Sequence, residues 1–383
     1  MGGFDAGALS AVAVDAGTRA AEIESLRRLP GDLVSELAGA GVFKLFVPEA
    51  YGGSQATLAD GLAAIESVAY HDGSTGWCVM IAITTGLTAG FLPPEHAAAI
   101  YGSDDAITGG FAMPAGTATA VTGGIRVNGR WSWGSGTDHC TSICGGVRVV
   151  DDYDQPYMLG DGARFPIVFF DRDQVELLDT WHVAGLKGTA SGDYTVRDAF
   201  VPEGRWVDLA TADPQVDHPL YRVSFLGALA IGVSAVVVGL GRRAIDELVG
   251  LAAKVPSGSS RSLAERPVVQ AQVAEADAAV RASRAFLRAA ADECWAAASE
   301  GQPVTADLRR TLRLAATNAV QRCAHAVDLC YHAGGGSSIF ETHPLQRVFR
   351  DTHVATQHGM VATRVFETLG RMTFGLPTEI AQL

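Results

Sequence analysis

The 383-residue chain carries 29 Lys and Arg against 42 Asp and Glu, a net charge of −13, with 48% hydrophobic and 19% charged residues. This is a globular composition rather than a disordered one, long enough for more than one structural unit. Without a Lys/Arg block it excludes a nucleic-acid surface, which needs clustered cations, and leaves a soluble protein acting on a small-molecule substrate. The six cysteines match no CxxC or zinc framework, so they read as free, mostly buried thiols in a reducing cytoplasm. Met1-Gly2-Gly3-Phe4-Asp5 shows no leader pattern.

Residues 1–105 read as a helical domain. Leu26, Leu29, Leu33 and Leu37 recur at three- and four-residue steps, and Pro30 marks the first turn of a second helix. That helix closes near Gly39 and Gly41, and Val47-Pro48-Glu49-Ala50-Tyr51-Gly52-Gly53 is a turn. Another helix spans Leu58 to Tyr70, and the next starts at Asp72-Gly73-Ser74, whose side chains offer N-cap oxygens, and carries Trp77.

Residues 106–213 change to strand patterning. Ile125-Arg126-Val127-Asn128-Gly129-Arg130-Trp131 predicts two strands joined by an Asn-Gly turn. Further strands are expected at Ile167 to Phe170 and Tyr194 to Phe200, making a small sandwich or barrel. Residues 214–383 return to helix. Phe225–Lys254, Pro267–Ser299, Ala306–Ala333 and Leu345–Gly370 predict an antiparallel four-helix bundle. Phe225 to Gly241 is uncharged, but its 17 residues and four glycines suit a buried bundle helix, since a membrane span needs about 20 apolar residues. The fold class is therefore α+β, mostly α: helices, a β-domain, then a long-helix bundle.

Two clusters read ambiguously. Gly334-Gly335-Gly336-Ser337-Ser338 offers backbone N–H groups to a phosphate or is a plain interhelical loop. It follows no strand, so it is not a Rossmann turn. His325, Asp328 and His332 share a helix face, but a hydrogen-bonded His–Asp pair accounts for them and no metal is expected.

Four motifs in order carry a family resemblance. They are Val47 to Gly53, then Gly185-Leu186-Lys187-Gly188-Thr189-Ala190-Ser191-Gly192-Asp193 with Val201-Pro202 after it, then Gly334 to Gly336, then Arg350-Asp351. Together they resemble the acyl-CoA dehydrogenase superfamily over nearly the whole chain. Dehydrogenases of that superfamily often place a catalytic Glu soon after the Arg-Asp pair. Here the stretch is Arg350-Asp351-Thr352-His353-Val354-Ala355-Thr356-Gln357-His358, with no carboxylate after Asp351. It resembles the R-D-x-H-x-x-x-x-H pattern of two-component (group D) flavin monooxygenases. Trp131-Ser132-Trp133-Gly134-Ser135-Gly136-Thr137-Asp138-His139 resembles their W-x-x-x-S-G-x-x-H segment. One departure stands out: Ile83-Thr84-Thr85-Gly86-Leu87 occupies a place where several aromatic hydroxylases of this type carry histidine.

The resemblance implies an oxygenase component that takes reduced flavin, FMNH2 or FADH2, from a separate NAD(P)H:flavin reductase. With O2 it would form a C4a-(hydro)peroxyflavin and oxygenate a small aromatic or heteroatom-containing substrate, as a homotetramer. His358 is the first candidate for proton handling and His353 the second, because imidazole titrates near pH 6.5. On one helix the two would point about 140° apart at roughly 100° per residue. Ser135 is the candidate donor to flavin N5 or the peroxide. Trp133, Gly136, Thr189, Ser191, the Gly334, Gly335 and Gly336 loop and Arg350 are the implied cofactor contacts. The rival readings are an acyl-CoA dehydrogenase with bound FAD and a non-catalytic flavin- or acyl-binding scaffold.

Overall fold

In the computed structural model, which describes residues 4–151 and 153–380, the chain opens with six helices. Met1 to Gly3, part of the stretch read for a leader, lie outside the described residues. The helices are α1 (Ala6–Thr18), α2 (Ala20–Leu26), α3 (Gly31–Gly39), α4 (Leu58–His71), α5 (Gly73–Gly86) and α6 (Pro94–Tyr101). The leucine run is split at Arg27, whose left-handed φ of 53° ends α2. Leu33 and Leu37 are buried on α3, while Leu26 is left 46% exposed. Asp72 closes α4 and caps α5, its Oδ1 accepting from the Thr75 N–H and Thr75 Oγ1, both at 2.7 Å. That cap fixes where α5 begins, and so where Trp77 points.

The β-region, expected as a small sandwich or barrel, is one seven-stranded sheet in the order β5-β6-β2-β1-β3-β4-β7. The strands are β1 (Thr108–Val121), β2 (Gly124–Trp131), β3 (Ser142–Val150), β4 (Ile167–Asp171), β5 (Glu176–Leu178), β6 (Asp193–Pro202) and β7 (Trp206–Val207). β1 runs parallel to β3, and the other pairs are antiparallel. The Asn-Gly hairpin expectation is wrong. β2 runs straight through Asn128-Gly129, and the β1–β2 turn lies at Thr122-Gly123, where Gly123 has φ +77°. Asn128 instead supports a bulge against β6, its Oδ1 accepting from the Asp198 N–H at 2.8 Å. Trp131 ends β2 fully buried, stacked on Tyr194 and donating to Gly146 O at 2.7 Å.

The last region holds α7 (Phe225–Gly250), α8 (Pro267–Ser299), α9 (Ala306–Gly334), α10 (Pro344–Ala355) and α11 (Val365–Thr373). α7 is long and apolar enough to cross a membrane, but 78% of its apolar window is buried inside the fold. Its glycines let other helices approach: a Cβ on Gly239 would meet Glu66 O of α4 at 2.6 Å. The fourth bundle helix is not continuous as expected. It stops at Ala355, where Thr356 Oγ1 turns back to His353 O at 2.7 Å, and resumes at Val365. His353 and His358 therefore do not share a helix.

Candidate active site

After Trp131 the chain leaves the sheet through Trp133 (φ +61°), Gly134, Ser135 and Gly136 (φ +72°). The segment carrying Thr189 and Ser191 pins this loop. Gly134 N–H donates to Gly192 O at 3.0 Å and Gly136 N–H to Thr189 O at 2.9 Å. Leu186 and Ala190, on either side of Thr189, both take left-handed backbone conformations, a strain that non-glycine residues accept mainly where the surroundings enforce it. The two segments bring three hydroxyls into one buried chain. Ser135 Oγ lies 2.7 Å from Ser191 Oγ, and Ser191 Oγ lies 2.6 Å from Thr189 Oγ1. Thr189 Oγ1 lies 2.8 Å from Leu186 O. All three side chains are buried.

A carbonyl can only accept, so the Thr189 proton goes to Leu186 O. Ser191 then donates to Thr189, and Ser135 donates to Ser191, which is the one arrangement that bonds all three contacts. Ser135 also accepts the Trp77 indole N–H at 3.0 Å. It therefore retains a lone pair and no proton for a ligand. In this arrangement it meets a ligand as an acceptor, whereas the sequence motif suggested a donor.

Trp77 joins this chain to His358. Their rings meet edge-on with centroids 5.6 Å apart. His358 sits in the break between α10 and α11, where its Nδ1 accepts the Met360 N–H at 3.3 Å, so the neutral ring carries its proton on Nε2. Desolvation, with the nearby Arg313 cation as second cause, holds its pKa down at about 4. Burial likewise holds His139, stacked on Phe43, at about 4.

The sequence did not single out Phe111 and Met113. β1 shifts register between Phe111 and Pro114, and again before Gly116. This irregularity accompanies a contact between the Phe111 and Trp133 rings, with centroids 5.6 Å apart. Trp133 is 61% and Met113 44% exposed, so an open aromatic face lies two residues from Ser135. A large aromatic left in solvent on a strained turn is the signal that could have found it.

Other expected site residues lie elsewhere. The Arg350 guanidinium binds Glu24 at 2.7 and 3.1 Å, Gln346 at 2.8 Å and the carbonyl of Ala184. It ties α10 to α2 and is not gathered into the Ser135 group. His353 Nε2 pairs with Asp328 Oδ1 at 2.8 Å on a half-exposed surface. His332 Nδ1 bonds Asp328 O and His325 Nε2 meets Glu275 Oε1; among the described residues no set of three or more His, Cys, Asp or Glu could hold a metal. Gly334 ends α9 against Leu251 and Leu345, whereas Gly335 and Gly336 open the short turn that follows with free space at their Cβ positions, and Lys254 Nζ lies against Ser337 Oγ. Asp351 is buried and accepts the Leu186 N–H at 2.6 Å; burial pushes its carboxyl up to about 7. It positions the Thr189 segment rather than reaching His358. Two surface clefts of about 300 and 200 Å³ line α8–α9 and the α2–β5–β6 junction. Neither contains Trp77, Ser135 or His358; the second borders the Ser135 loop through Thr137 and Gly192.

Residues 9–92 match the acyl-CoA dehydrogenase N-terminal domain and residues 231–363 the acyl-CoA dehydrogenase C-terminal domain. An indole-3-acetate monooxygenase of Pseudomonas putida is 32% identical over 360 residues, 93% of this chain and 90% of that protein. The crystal structure of 3-HSA hydroxylase from Rhodococcus sp. superposes with a TM-score of 0.90 at 28% identity, covering 98% of each chain. XiaF from Streptomyces sp., solved with FADH2 and glycerol, superposes at 0.89 with 26% identity, covering 98% of this chain and 97% of that one.

Proposed function

Because this chain belongs to the flavin-dependent monooxygenases of the acyl-CoA dehydrogenase fold, we propose that reduced flavin and substrate meet at the Trp77, Ser135 and His358 group. The protein is the oxygenase component of a two-component flavin-dependent monooxygenase. Bound reduced flavin would supply the two electrons that activate O2, one oxygen atom of which enters the substrate while the other leaves as water.

The chain's own residues fit that group. The exposed Trp133 indole, with the Phe111 ring tilted against it, offers an apolar surface to a planar ring system, and Ser135 adds one acceptor two residues along the loop. His358, neutral with its proton on Nε2, is a hydrogen-bond donor at neutral pH. Trp77 bridges the two, bonding Ser135 through its indole N–H and packing its ring edge-on against His358. Thr189 and Ser191 orient Ser135. In this reading His353 and Arg350 support the architecture, and Gly334 to Gly336 remain candidates for the phosphate end of FMN or FAD.

The substrate is a small aromatic or heteroatom-containing molecule; the Pseudomonas putida relative, named for indole-3-acetate, supports this class. A separate NAD(P)H:flavin reductase delivers the reduced flavin. The exposed Ile339, Phe340 and Phe374 side chains support self-association, with a tetramer as the assembly we favour. Six buried free thiols support a reducing cytoplasm.

The observation that carries the reading is that one indole, Trp77, joins Ser135 to His358 close to an open aromatic face. The test is turnover by the purified chain with reduced FMN or FAD, O2 and a panel of phenols and indoles. Oxygenated product is expected; a chain that oxygenates none of them and binds no reduced flavin would refute it.

A further inference from the structure

The hydroxyl chain has a direction, and that direction bears on which redox state of the flavin the site accepts. The three short contacts among Ser135, Ser191, Thr189 and Leu186 O are filled by three hydroxyl protons in only one order, each pointing away from Ser135. Trp77 fills one Ser135 lone pair from the other side. Reversing the chain would leave Thr189 Oγ1 and Leu186 O facing each other at 2.8 Å without a proton between them, as two buried acceptors in repulsion.

A flavin's N5 changes character with oxidation state. Reduced isoalloxazine carries a hydrogen there and donates, whereas the oxidised ring presents a bare lone pair and accepts. We infer that Thr189 and Ser191 are positioning residues that set a preference for reduced over oxidised flavin, by fixing Ser135 as a pure acceptor. This rests on the reading of Ser135 as the flavin's neighbour. A site built so retains the reduced cofactor that another protein delivers and releases the spent one. The discrimination comes from a mismatch with the wrong redox state as much as from a bond to the right one.

The experiment measures anaerobic dissociation constants of the purified chain for oxidised and reduced FMN and FAD. The wild type should bind the reduced form about tenfold tighter, the scale of one matched against one mismatched buried hydrogen bond. Ser191→Ala leaves the Ser135 proton without its acceptor, and Thr189→Val lets Ser191 donate to Ser135 instead. Either change returns a proton to Ser135, so each should narrow the ratio about tenfold, mainly through tighter oxidised binding. Thr189→Ser preserves the chain and should preserve the ratio. If one variant fails to fold, the other decides. A wild-type ratio near one, or a ratio unmoved by Ser191→Ala or Thr189→Val, overturns the inference while leaving the flavin site in place. No binding of either form by the wild type overturns the site itself.

Discussion

Trp77 donates its indole N–H to Ser135 Oγ at 3.0 Å, and this bond ties helix α5 to the loop that leaves strand β2. Trp77→Phe keeps an aromatic ring beside His358 but leaves Ser135 one donor short in a buried setting. Stability should fall by about 1–2 kcal/mol, read by thermal or urea unfolding. Turnover should fall further than that loss implies, because Ser135 loses one of the two hydrogen bonds that hold it.

Trp133 carries the opposite signature. It is 61% exposed in the single chain, so Trp133→Ala should leave the melting temperature nearly unchanged. Lost ring stacking should weaken flavin binding by about 3- to 10-fold. Equal flavin affinity in the variant would remove Trp133 from the site.

Acid should reveal two opposing slopes. His139 and His358 are held near 4 by desolvation, while an unfolded histidine titrates near 6.5. The unfolded state therefore binds more protons between those values, and these groups make stability fall as pH drops through that window. Asp351 acts in reverse: burial raises it to about 7, above the roughly 3.9 of an unfolded Asp, so its contribution falls as pH rises from about 4 to 7. Asp351→Asn keeps an acceptor for the Leu186 N–H and removes the ionisation. Its melting temperature should drop more steeply than the wild type's between pH 7 and 5, and that of His358→Gln less steeply. Three parallel profiles would contradict these assignments.

Arg350 holds Glu24 through two bonds, with Lys187 Nζ also 2.9 Å from Glu24 Oε1. Desolvation opposes ionisation of Glu24, yet the hydrogen bonds from Arg350 and Lys187 hold its carboxyl below the usual range. Arg350→Ala should cost ~1–3 kcal/mol of stability, moderated by the remaining Lys187. Flavin affinity of the folded fraction should be unchanged; a large loss would restore Arg350 as a cofactor contact.

Much of the fold was legible because local chemistry and tertiary packing agree. Helix α8 runs from Pro267 to Ser299 as its pattern predicts, with proline in the first turn. Asp72 announces α5 by capping it. Legibility failed where a side chain had a better partner elsewhere. Asn128 looks like half of a turn, but Asp198 on β6 takes its oxygen. The helical pattern of 345–370 has no breaker before Gly359, yet the backbone stops at Ala355. His358 was found through a motif, whereas its tautomer depends on Met360 N–H and needed coordinates. Ser135 was likewise identifiable by its loop. The direction of its proton was not, because that is set by Leu186 O, more than fifty residues along the chain.

As a monooxygenase, this chain inserts one atom of O2 into an organic substrate. The most direct measurement is mass analysis of product formed under 18O2 by the purified chain with reduced flavin and an indole or phenol substrate. One 18O atom per product molecule is predicted. Product whose new oxygen comes from water, or a desaturated product with no added oxygen, would contradict the account and place the chain with the dehydrogenases of its fold.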